Sequence, residues 1–360
     1  MHTRVLVVDD TVVFRRVVTD ALAGVPHVEI VGAAGNGKLA LSQAAALRPD
    51  LITLDIEMPE MNGIEVLERL AGIGSKAGVI VLSSRTVRGG HLTMRALELG
   101  AFDFITKPEG GTAEENLHAL RSQLLPMIRA FERRQEIRSI LEKTPAAAPR
   151  LAHDSALSAT RAPHRNGPPI VLIGVSTGGP AALSQLVPAL SPKLPAPVFV
   201  VQHMPPLFTE ALAQSLRAKS TIRVQEAKDG ETAANGCVYL APGGRQMKIA
   251  AGPAGAIVIR LTDDPPENNC KPAVDYLFRS AALQFPGRSI AAILTGMGTD
   301  GTQGLRQLKR GGCAAIAQDE GSCVVFGMPR EAIQAGVVDT VLPLHQIAAA
   351  ITRLVNEAGT

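Results

Sequence analysis

The chain has 360 residues, a length that favours two or three domains over one. Its formal net charge of +3 gives no argument for nucleic acid as a partner, and its aromatic residues, 3% of the chain, are too scarce for base-stacking platforms. There is no signal-peptide pattern and no apolar run of the roughly 18 residues that a membrane span needs, so we expect a cytoplasmic protein without direct membrane insertion.

The first 125 residues alternate five short apolar runs with helix-length segments. Because the runs are rich in Val, Ile and Leu without interruption, they are typical of parallel strands that are covered on both faces. Five strand–helix repeats predict a flavodoxin-like, doubly wound α/β domain. The predicted strands are, in chain order, RVLVV, VEIVGAA, DLITLDI, AGVIVLSS and AFDFITK.

Charged and hydroxyl side chains stand where these strands end: Asp9 and Asp10 after the first, Asp55 in the third, Ser83 in the fourth and Lys107 in the fifth. The carboxyl ends of parallel strands share one crevice, where three carboxylates repel one another unless a hard cation such as Mg²⁺ lies among them. A carboxylate there can accept a phosphoryl group, with Lys107 offsetting its charge and the Ser83 hydroxyl donating to a phosphate oxygen. For any one of these positions, a helix cap or a turn is an equally good explanation.

Together these residues resemble the pattern DD…D…S/T…KP of the response-regulator receiver domain. The resemblance implies that Asp55 is phosphorylated by a histidine kinase. It also implies that Asp10, Asp55 and the backbone of Glu57 bind Mg²⁺, with Asp9 as a further candidate ligand. Phe104 is, by the same resemblance, the aromatic switch residue.

The middle of the chain separates two α/β blocks. An amphipathic helix with many charged residues is followed by an Ala- and Pro-rich segment without apolar periodicity. We predict that residues 144–169 form a flexible linker. The predicted domains are 1–125 for the receiver, 126–168 for the linker helix and flexible linker, and 169–360 for the second domain.

The second domain again alternates strands with helices, as expected for another doubly wound parallel sheet. Its apolar runs include IVLIGV, PVFVVQH, SIAAILTG and CAAIAQ. The segment GCVYLAPGGRQMKIAAGPAGAIVIRL differs, because glycine turns separate short strands, and it predicts a β-hairpin inserted in the α/β order. The four cysteines of this domain include no C-x-x-C pair, and we expect them to be small buried residues of a reducing compartment.

The turn IGVSTGGP places Ser176 between a buried strand and a helix. GVSTG matches G-x-S-x-G, the pattern of a nucleophile elbow, although glycine turns after strands also cradle phosphates or cap helices. The spacing of Gly174, Gly178 and Gly179 does not fit the dinucleotide fingerprint, and the P-loop lysine is missing. The pattern therefore favours a nucleophilic serine.

A serine nucleophile needs a base, and beyond the linker only His203 and His345 are available. His203 ends the strand PVFVVQH at the same sheet edge as Ser176, whereas His345 opens a helix with ordinary apolar packing. Asp300, after the strand SIAAILTG, can orient the imidazole, although it is also placed to cap the next helix. The candidate oxyanion donors are the backbone N–H groups of the glycine-rich turns, at Thr177 and Met297.

The motifs IGVSTGGP, VQHMPP, YLAPGG, VDYLF and LTGMGTDG resemble the catalytic domain of the CheB family of chemotaxis protein-glutamate methylesterases. The resemblance covers the chain except the linker and implies a Ser176–His203–Asp300 triad, with Met297 shaping the oxyanion region. It implies hydrolysis of glutamyl methyl esters on the cytoplasmic helices of methylated chemoreceptors, with deamidation of glutamines. The chain departs from the family at Gln246 and in the segment NNCKPA, which we expect to border the substrate groove.

The partners and the regulation follow from the same resemblance. We expect a monomer whose phosphodonor is a histidine kinase of the CheA type. We also expect the receiver to cover the triad until phosphorylation weakens the contact between the domains, since about 1.4 kcal/mol changes a population ratio tenfold. Two other functions stay open: an esterase with a partner outside chemotaxis, and a receiver-linked binding module without activity. A transcription factor is disfavoured, because no helix-turn-helix follows the receiver.

Overall fold

The computed structural model describes residues 2–143 and 167–359. The chain divides into two compact units, Met1–Thr144 and Pro145–Thr360. Most of the predicted linker, residues 144–166, lies outside the described residues. Within the described ranges, no helix is both long and apolar enough to cross a bilayer.

The first unit has the expected doubly wound α/β fold. Its strands are β1 (Thr3–Val8), β2 (Val28–Ala34), β3 (Leu51–Asp55), β4 (Gly78–Ser83) and β5 (Asp103–Thr106). Its helices are α1 (Val12–Leu22), α2 (Gly37–Leu47), α3 (Gly63–Gly72), α4 (Val87–Glu98) and α5 (Ala113–Lys143). The strands are all parallel, in the order β2-β1-β3-β4-β5, so the ends of β1 and β3 lie side by side where the strand order reverses.

Helix α5 belongs to the first unit beyond residue 125. Leu124, Ile128 and Phe131 are buried on one face, and the Phe131 ring packs edge-on against Phe102 with ring centroids 5.6 Å apart. The boundary expected at residue 125 therefore falls inside a continuous helix. Periodicity alone does not show this, because an amphipathic helix has the same pattern whether it covers a domain or connects two.

The second unit is built on a larger parallel sheet. Its strands are β6 (Ile170–Val175), β7 (Val198–Gln202), β8 (Arg223–Glu226), β9 (Cys237–Leu240), β10 (Gln246–Ala251), β11 (Ile257–Thr262), β12 (Ser289–Ile293), β13 (Ala314–Gln318) and β14 (Thr340–Leu342). Its helices are α6 (Gly179–Leu186), α7 (Phe208–Lys219), α8 (Val274–Gln284), α9 (Thr302–Arg310), α10 (Met328–Gln334) and α11 (Leu344–Gly359). The sheet order is β14-β13-β12-β6-β7-β9-β8, which places β6 at the centre.

The predicted hairpin is present but shorter than the segment assigned to it. Strands β10 and β11 pair antiparallel, whereas β9, which opens that segment, joins the large sheet in parallel between β7 and β8. All four residues of β9 are buried, as expected for a strand that is covered on both faces. Glycine turns on either side made β9 look like part of the hairpin, although its partners are β7 and β8 and not the strand that follows it.

Candidate functional site

Three neighbouring central strands of the second unit end at one edge of the sheet. Ser176 follows β6, His203 follows β7, and the turn that leads to Asp300 follows β12. The chain leaves β6 for β7 on one side and returns much later to β12 on the other side, so this edge is a topological switch point. The fold thus brings all three predicted triad residues to the same edge.

Backbone contacts on both sides hold the turn at Ser176. Its N–H donates to the carbonyl of Thr295 at 3.0 Å, and its carbonyl accepts from the Gln202 side-chain amide at 3.0 Å. Gly178 has a φ of 76° and lies so close to the Val324 side chain that a Cβ there would clash. The glycine is therefore required for the turn, which presents the serine between strand and helix.

His203 and Asp300 form a direct hydrogen bond, with 2.8 Å between Nε2 and Oδ2. Asp300 is nearly fully buried, and it also accepts from the N–H groups of Val274 at 2.7 Å and Asp275 at 3.0 Å and from the Asn268 side chain at 2.9 Å. Burial raises the pKa of Asp300, but the hydrogen bonds from His203 and from these N–H groups outweigh it and hold the pKa below its usual value. The carboxylate stays ionised and fixes the imidazole.

Asp300 also has a capping role, at a different helix from the expected one. Val274 and Asp275 are the first two residues of α8, whose N-terminal N–H groups lack partners within the helix. Towards α9, the helix that follows it in sequence, Asp300 accepts only from the adjacent Gly301 N–H, at 3.0 Å. One carboxylate therefore orients the imidazole and satisfies the start of α8.

Ser176 and His203 do not form a hydrogen bond with each other in this structure. Among the described residues, the Ser176 hydroxyl makes no hydrogen bond, and His203 Nδ1 instead lies 3.5 Å from the Sγ of Cys270. Burial lowers the pKa of His203, but the hydrogen bonds to Asp300 and Cys270 outweigh it and raise the pKa to about 9. The imidazole is accordingly in its protonated form at neutral pH and must lose that proton to act as a base.

The two predicted oxyanion positions carry free backbone donors. In the described part of the chain, no acceptor contacts the N–H of Thr177 or of Met297, whereas the Ser176 N–H is already bonded to the Thr295 carbonyl. The Thr295 hydroxyl donates to the Thr177 carbonyl at 2.9 Å and so links the two turns. The N–H groups of Thr177 and Met297 are therefore available as donors, while that of Ser176 is already used.

Residues of the segment NNCKPA, which was expected to border the substrate groove, lie against His203 and Asp300. Asn268 donates to Asp300 and, at 3.0 Å, to Asp275, while Cys270 contacts His203. Gln246 is fully buried and does not border a groove, contrary to expectation; its side chain donates to the Pro265 carbonyl at 3.0 Å and accepts from Ala273 at 2.9 Å. The only sequence signal was the departure NNCKPA itself.

The acidic pocket of the first unit brings together the residues at the ends of β1, β3 and β5. Lys107 Nζ lies 2.7 Å from a carboxylate oxygen of Asp9 and 2.7 Å from one of Asp55. Oxygens of Asp9, Asp10 and Asp55 all lie within 4.8 Å of one another, and the Glu57 N–H donates to Asp55 at 3.2 Å. Burial raises the pKa of Asp55 to about 6, against the lowering effect of Lys107.

This donor set fits Mg²⁺. Three carboxylates against one ammonium leave a net negative charge in a nearly buried pocket, and oxygen ligands are those that Mg²⁺ takes. A bound cation lowers the pKa of nearby carboxyl groups and would therefore offset the rise that burial causes in the pKa of Asp55.

Ser83 and Phe104 lie beside this pocket with their side chains turned into the protein. The Ser83 hydroxyl is buried, accepts from the Thr93 hydroxyl at 2.8 Å and donates to the Gly89 carbonyl at 3.3 Å, both in α4. Phe104, on β5, is 9% exposed. The Ser83 hydroxyl is thus engaged by α4, and its contact with a phosphate on Asp55 stays a prediction.

Comparisons with known proteins match the two units of the chain to two families. The CheB methylesterase family matches residues 171–351, and the response regulator receiver domain matches residues 5–120. A protein-glutamate methylesterase/protein-glutamine glutaminase of Desulfotalea psychrophila is 48% identical over 360 residues, covering 99% of each chain. One of Bacillus subtilis with the same name is 42% identical over 355 residues, covering 98% of this chain and 99% of its own. The crystal structure of the Thermotoga maritima CheB methylesterase catalytic domain is 44% identical, covers 52% of this chain and 100% of its own, and superposes with a TM-score of 0.51.

Proposed function

Because this chain belongs to the CheB methylesterase family and carries a receiver domain before the matched catalytic region, we propose that it is a phosphorylation-regulated protein-glutamate methylesterase that also deamidates protein glutamines. The observation that carries the proposal is the 2.8 Å contact between His203 and Asp300 beside the Ser176 turn. The names of the relatives support the substrate class. They do not favour an inactive binding module or a partner outside chemotaxis.

The chemistry is acyl transfer. The Ser176 oxygen attacks the ester carbonyl carbon while His203, in its neutral form, takes the hydroxyl proton and Asp300 stabilises the resulting imidazolium. The N–H groups of Thr177 and Met297 donate to the oxyanion. The C–O bond to the methoxy group then breaks, and His203 returns the proton to release methanol. Water hydrolyses the acyl-enzyme by the same route and leaves a glutamate side chain.

The serine–imidazole contact forms with substrate in place, because catalytic hydrogen bonds often tighten only in the complex. A glutamine side chain differs from the methyl ester only in its leaving group. The same steps applied to it release ammonia, which accounts for deamidation at the same site.

Partners and regulation complete the proposal. Asp55 accepts a phosphoryl group from a histidine kinase of the CheA type, and the substrates are the cytoplasmic helices of methylated chemoreceptors. The protein acts as a monomer in the cytoplasm. Asp10, Asp55 and the backbone of Glu57 would hold Mg²⁺, with Asp9 beside them, and the bound cation would supply neutralisation of the charge on the incoming phosphoryl group. Phosphorylation then releases the catalytic domain from inhibition by the receiver.

Methanol release from methylated receptor, with and without an acyl phosphate as phosphodonor, tests this function. We expect release by the full chain, stimulated by the phosphodonor, together with ammonia from receptor glutamines. If the fragment 169–360 were no more active than the unphosphorylated full chain, inhibition by the receiver would be wrong. If the full chain released neither product in either state, the proposed activity itself would be wrong.

Phosphorylation should depend on Asp55 and on a divalent cation. Asp55→Asn removes the carboxylate that accepts the phosphoryl group, so we expect no incorporation of phosphate and no stimulation of methanol release. Removing Mg²⁺ with EDTA should have the same effect in the wild type. Radiolabelled phosphodonor measures incorporation, and Asp20→Asn, at an exposed ion pair in α1, is the control. Incorporation that persists in Asp55→Asn would exclude Asp55 as the acceptor.

The esterase should be more active at alkaline pH. The pKa of His203 is raised to about 9 in the folded protein, so the fraction of neutral imidazole, and with it kcat/KM, should rise from pH 6.5 to about 9. The same shift stabilises the folded protein fully below about pH 6.5, and this stabilisation is lost as the pH rises through about 9. A kcat/KM profile with a flat region between pH 6.5 and 9 would contradict this assignment.

A side chain at Gly296 should disturb the serine turn. A Cβ there would lie 2.8 Å from Ser176 Cβ and would also clash with Met328 Sδ. We expect Gly296→Ala to lower esterase activity roughly 100-fold, because a displacement of about 1 Å costs that much, and to destabilise the fold by about 1–3 kcal/mol. Thermal unfolding and methanol release measure the two effects. Gly321→Ala, where no atom lies within 3.4 Å of the added Cβ, is the control and should be near wild type.

A further inference from the structure

Cys270 differs from the other cysteines of the chain in its exposure and its neighbour. Cys237, Cys313 and Cys323 are buried, whereas Cys270 is half-buried and its Sγ lies 3.5 Å from Nδ1 of His203. Its backbone is held by reciprocal hydrogen bonds with Glu267, at 2.7 and 3.1 Å. The thiol is therefore fixed beside the imidazole by the backbone around it and is reachable from solvent.

Two donor atoms beside each other, His203 Nδ1 and Cys270 Sγ, have the chemistry and spacing of a pair of zinc ligands. An imidazole nitrogen, a thiol sulfur and a carboxylate oxygen, from His203, Cys270 and Asp300, all lie within 4.8 Å of one another. In a tetrahedral site, zinc lies about 2.0 Å from a nitrogen ligand and about 2.3 Å from a sulfur ligand, so those two ligand atoms are roughly 3.5 Å apart. The distance between Nδ1 and Sγ in this structure is 3.5 Å. The other nitrogen, Nε2, contacts Asp300, and metal-binding histidines commonly donate that N–H to a carboxylate.

We propose that His203 Nδ1 and Cys270 Sγ bind a thiophilic divalent cation such as Zn²⁺, with Asp300 orienting the imidazole from the far side. Binding displaces two protons to solvent, one from the Cys270 thiol and one from Nδ1 of the protonated imidazole, so that the thiolate and the freed lone pair of Nδ1 hold the ion. Both ring nitrogens of His203 are then engaged, one by the metal and one by Asp300, so the imidazole cannot accept the proton of Ser176. The ion is thus a reversible inhibitor of the esterase, and this second part rests on the proposed function.

Cobalt substitution tests the site without reference to catalysis. The full chain is titrated with Co²⁺ in excess Mg²⁺, which keeps the oxygen ligands of the receiver occupied and does not compete for a thiolate. We expect one Co²⁺ per chain with a thiolate-to-cobalt charge-transfer band, displaced by stoichiometric Zn²⁺. Cys270→Ser and Cys270→Ala should lose the band, whereas Cys313→Ser, at a buried thiol, should keep it. No band in the wild type, or a band that survives both Cys270 substitutions in folded protein, would overturn the proposal.

Inhibition is the second measurement. We expect Zn²⁺ to lower methanol release at least tenfold in the wild type, with recovery on adding a zinc-selective chelator. Cys270→Ser should need at least tenfold more Zn²⁺ for the same fractional inhibition of its own activity. Equal sensitivity of the two proteins would overturn the inhibitory role. A Cys270-dependent cobalt band in a chain that releases no methanol even without metal would keep the metal site and contradict the esterase.

Discussion

Ser176→Ala should abolish methanol release, lowering kcat by about 10⁶-fold, because it removes the oxygen that attacks the ester. Loss of the nucleophile in a serine hydrolase costs roughly this factor, and the residual rate comes from substrate binding and the oxyanion donors. The fold should be unaffected, since the contacts that hold the turn are made by the backbone of Ser176, with Thr295 and Gln202. Methanol release and thermal unfolding together separate the two effects.

This experiment also distinguishes the two possible nucleophiles beside His203. Cys270, rather than Ser176, contacts the imidazole in the structure, and thiols next to imidazole are frequent nucleophiles. A serine-directed phosphonate should label the wild type at Ser176 and leave Ser176→Ala unlabelled. Ser191→Ala, at a serine that accepts from the Lys193 N–H in a turn, is the matched control. Activity of Ser176→Ala within tenfold of the wild type would remove the serine from the mechanism.

Asp300→Asn should lower kcat by about 10⁴-fold, the effect of the same substitution in a serine protease triad. The amide cannot stabilise the imidazolium as a carboxylate does. The pKa of His203 should fall, because burial, which lowers it, is no longer opposed by the hydrogen bond to a charged partner. The pH at which kcat/KM reaches its maximum should therefore move below the wild-type value of about 9.

The same substitution should also destabilise the second unit. The Asp300 carboxylate accepts hydrogen bonds from Val274, Asp275 and Asn268, and an amide has only one oxygen to offer these donors. Leaving a buried donor without an acceptor costs about 1–3 kcal/mol. Asp263→Asn, at an exposed carboxylate paired with Arg245, is the control for thermal unfolding and kinetics. A variant with unchanged kcat and pH profile would show that Asp300 only caps α8.

The sequence predicted the parts of the fold and site that depend on local pattern. Continuous apolar runs alternating with helical segments indicated both parallel sheets, because such strands are covered on both faces. Side chains at strand ends were then assigned to one edge of each sheet, since parallel strands end together. That rule alone placed Ser176, His203 and Asp300 at one sheet edge, and Asp55 in the acidic pocket with Lys107.

Other features depended on packing between segments far apart in the chain. His203 is separated from Asp300 by 97 positions and from Cys270 by 67, and no local pattern reports which ring nitrogen faces which partner. The burial of Gln246, the pairing of β9 with β7 and the cap of α8 by Asp300 likewise required the folded chain.

By itself, then, the sequence determined the fold class, the order of the elements and the edge at which chemistry occurs, because periodicity and strand direction are local properties. Three contacts became visible only in the folded chain: that of Cys270 with the imidazole, that of the Ser83 hydroxyl with α4, and the hydrogen bonds of Asp300 at the start of α8. These contacts are set by the competition among buried polar groups for a limited number of partners, and that competition exists only once the chain is packed.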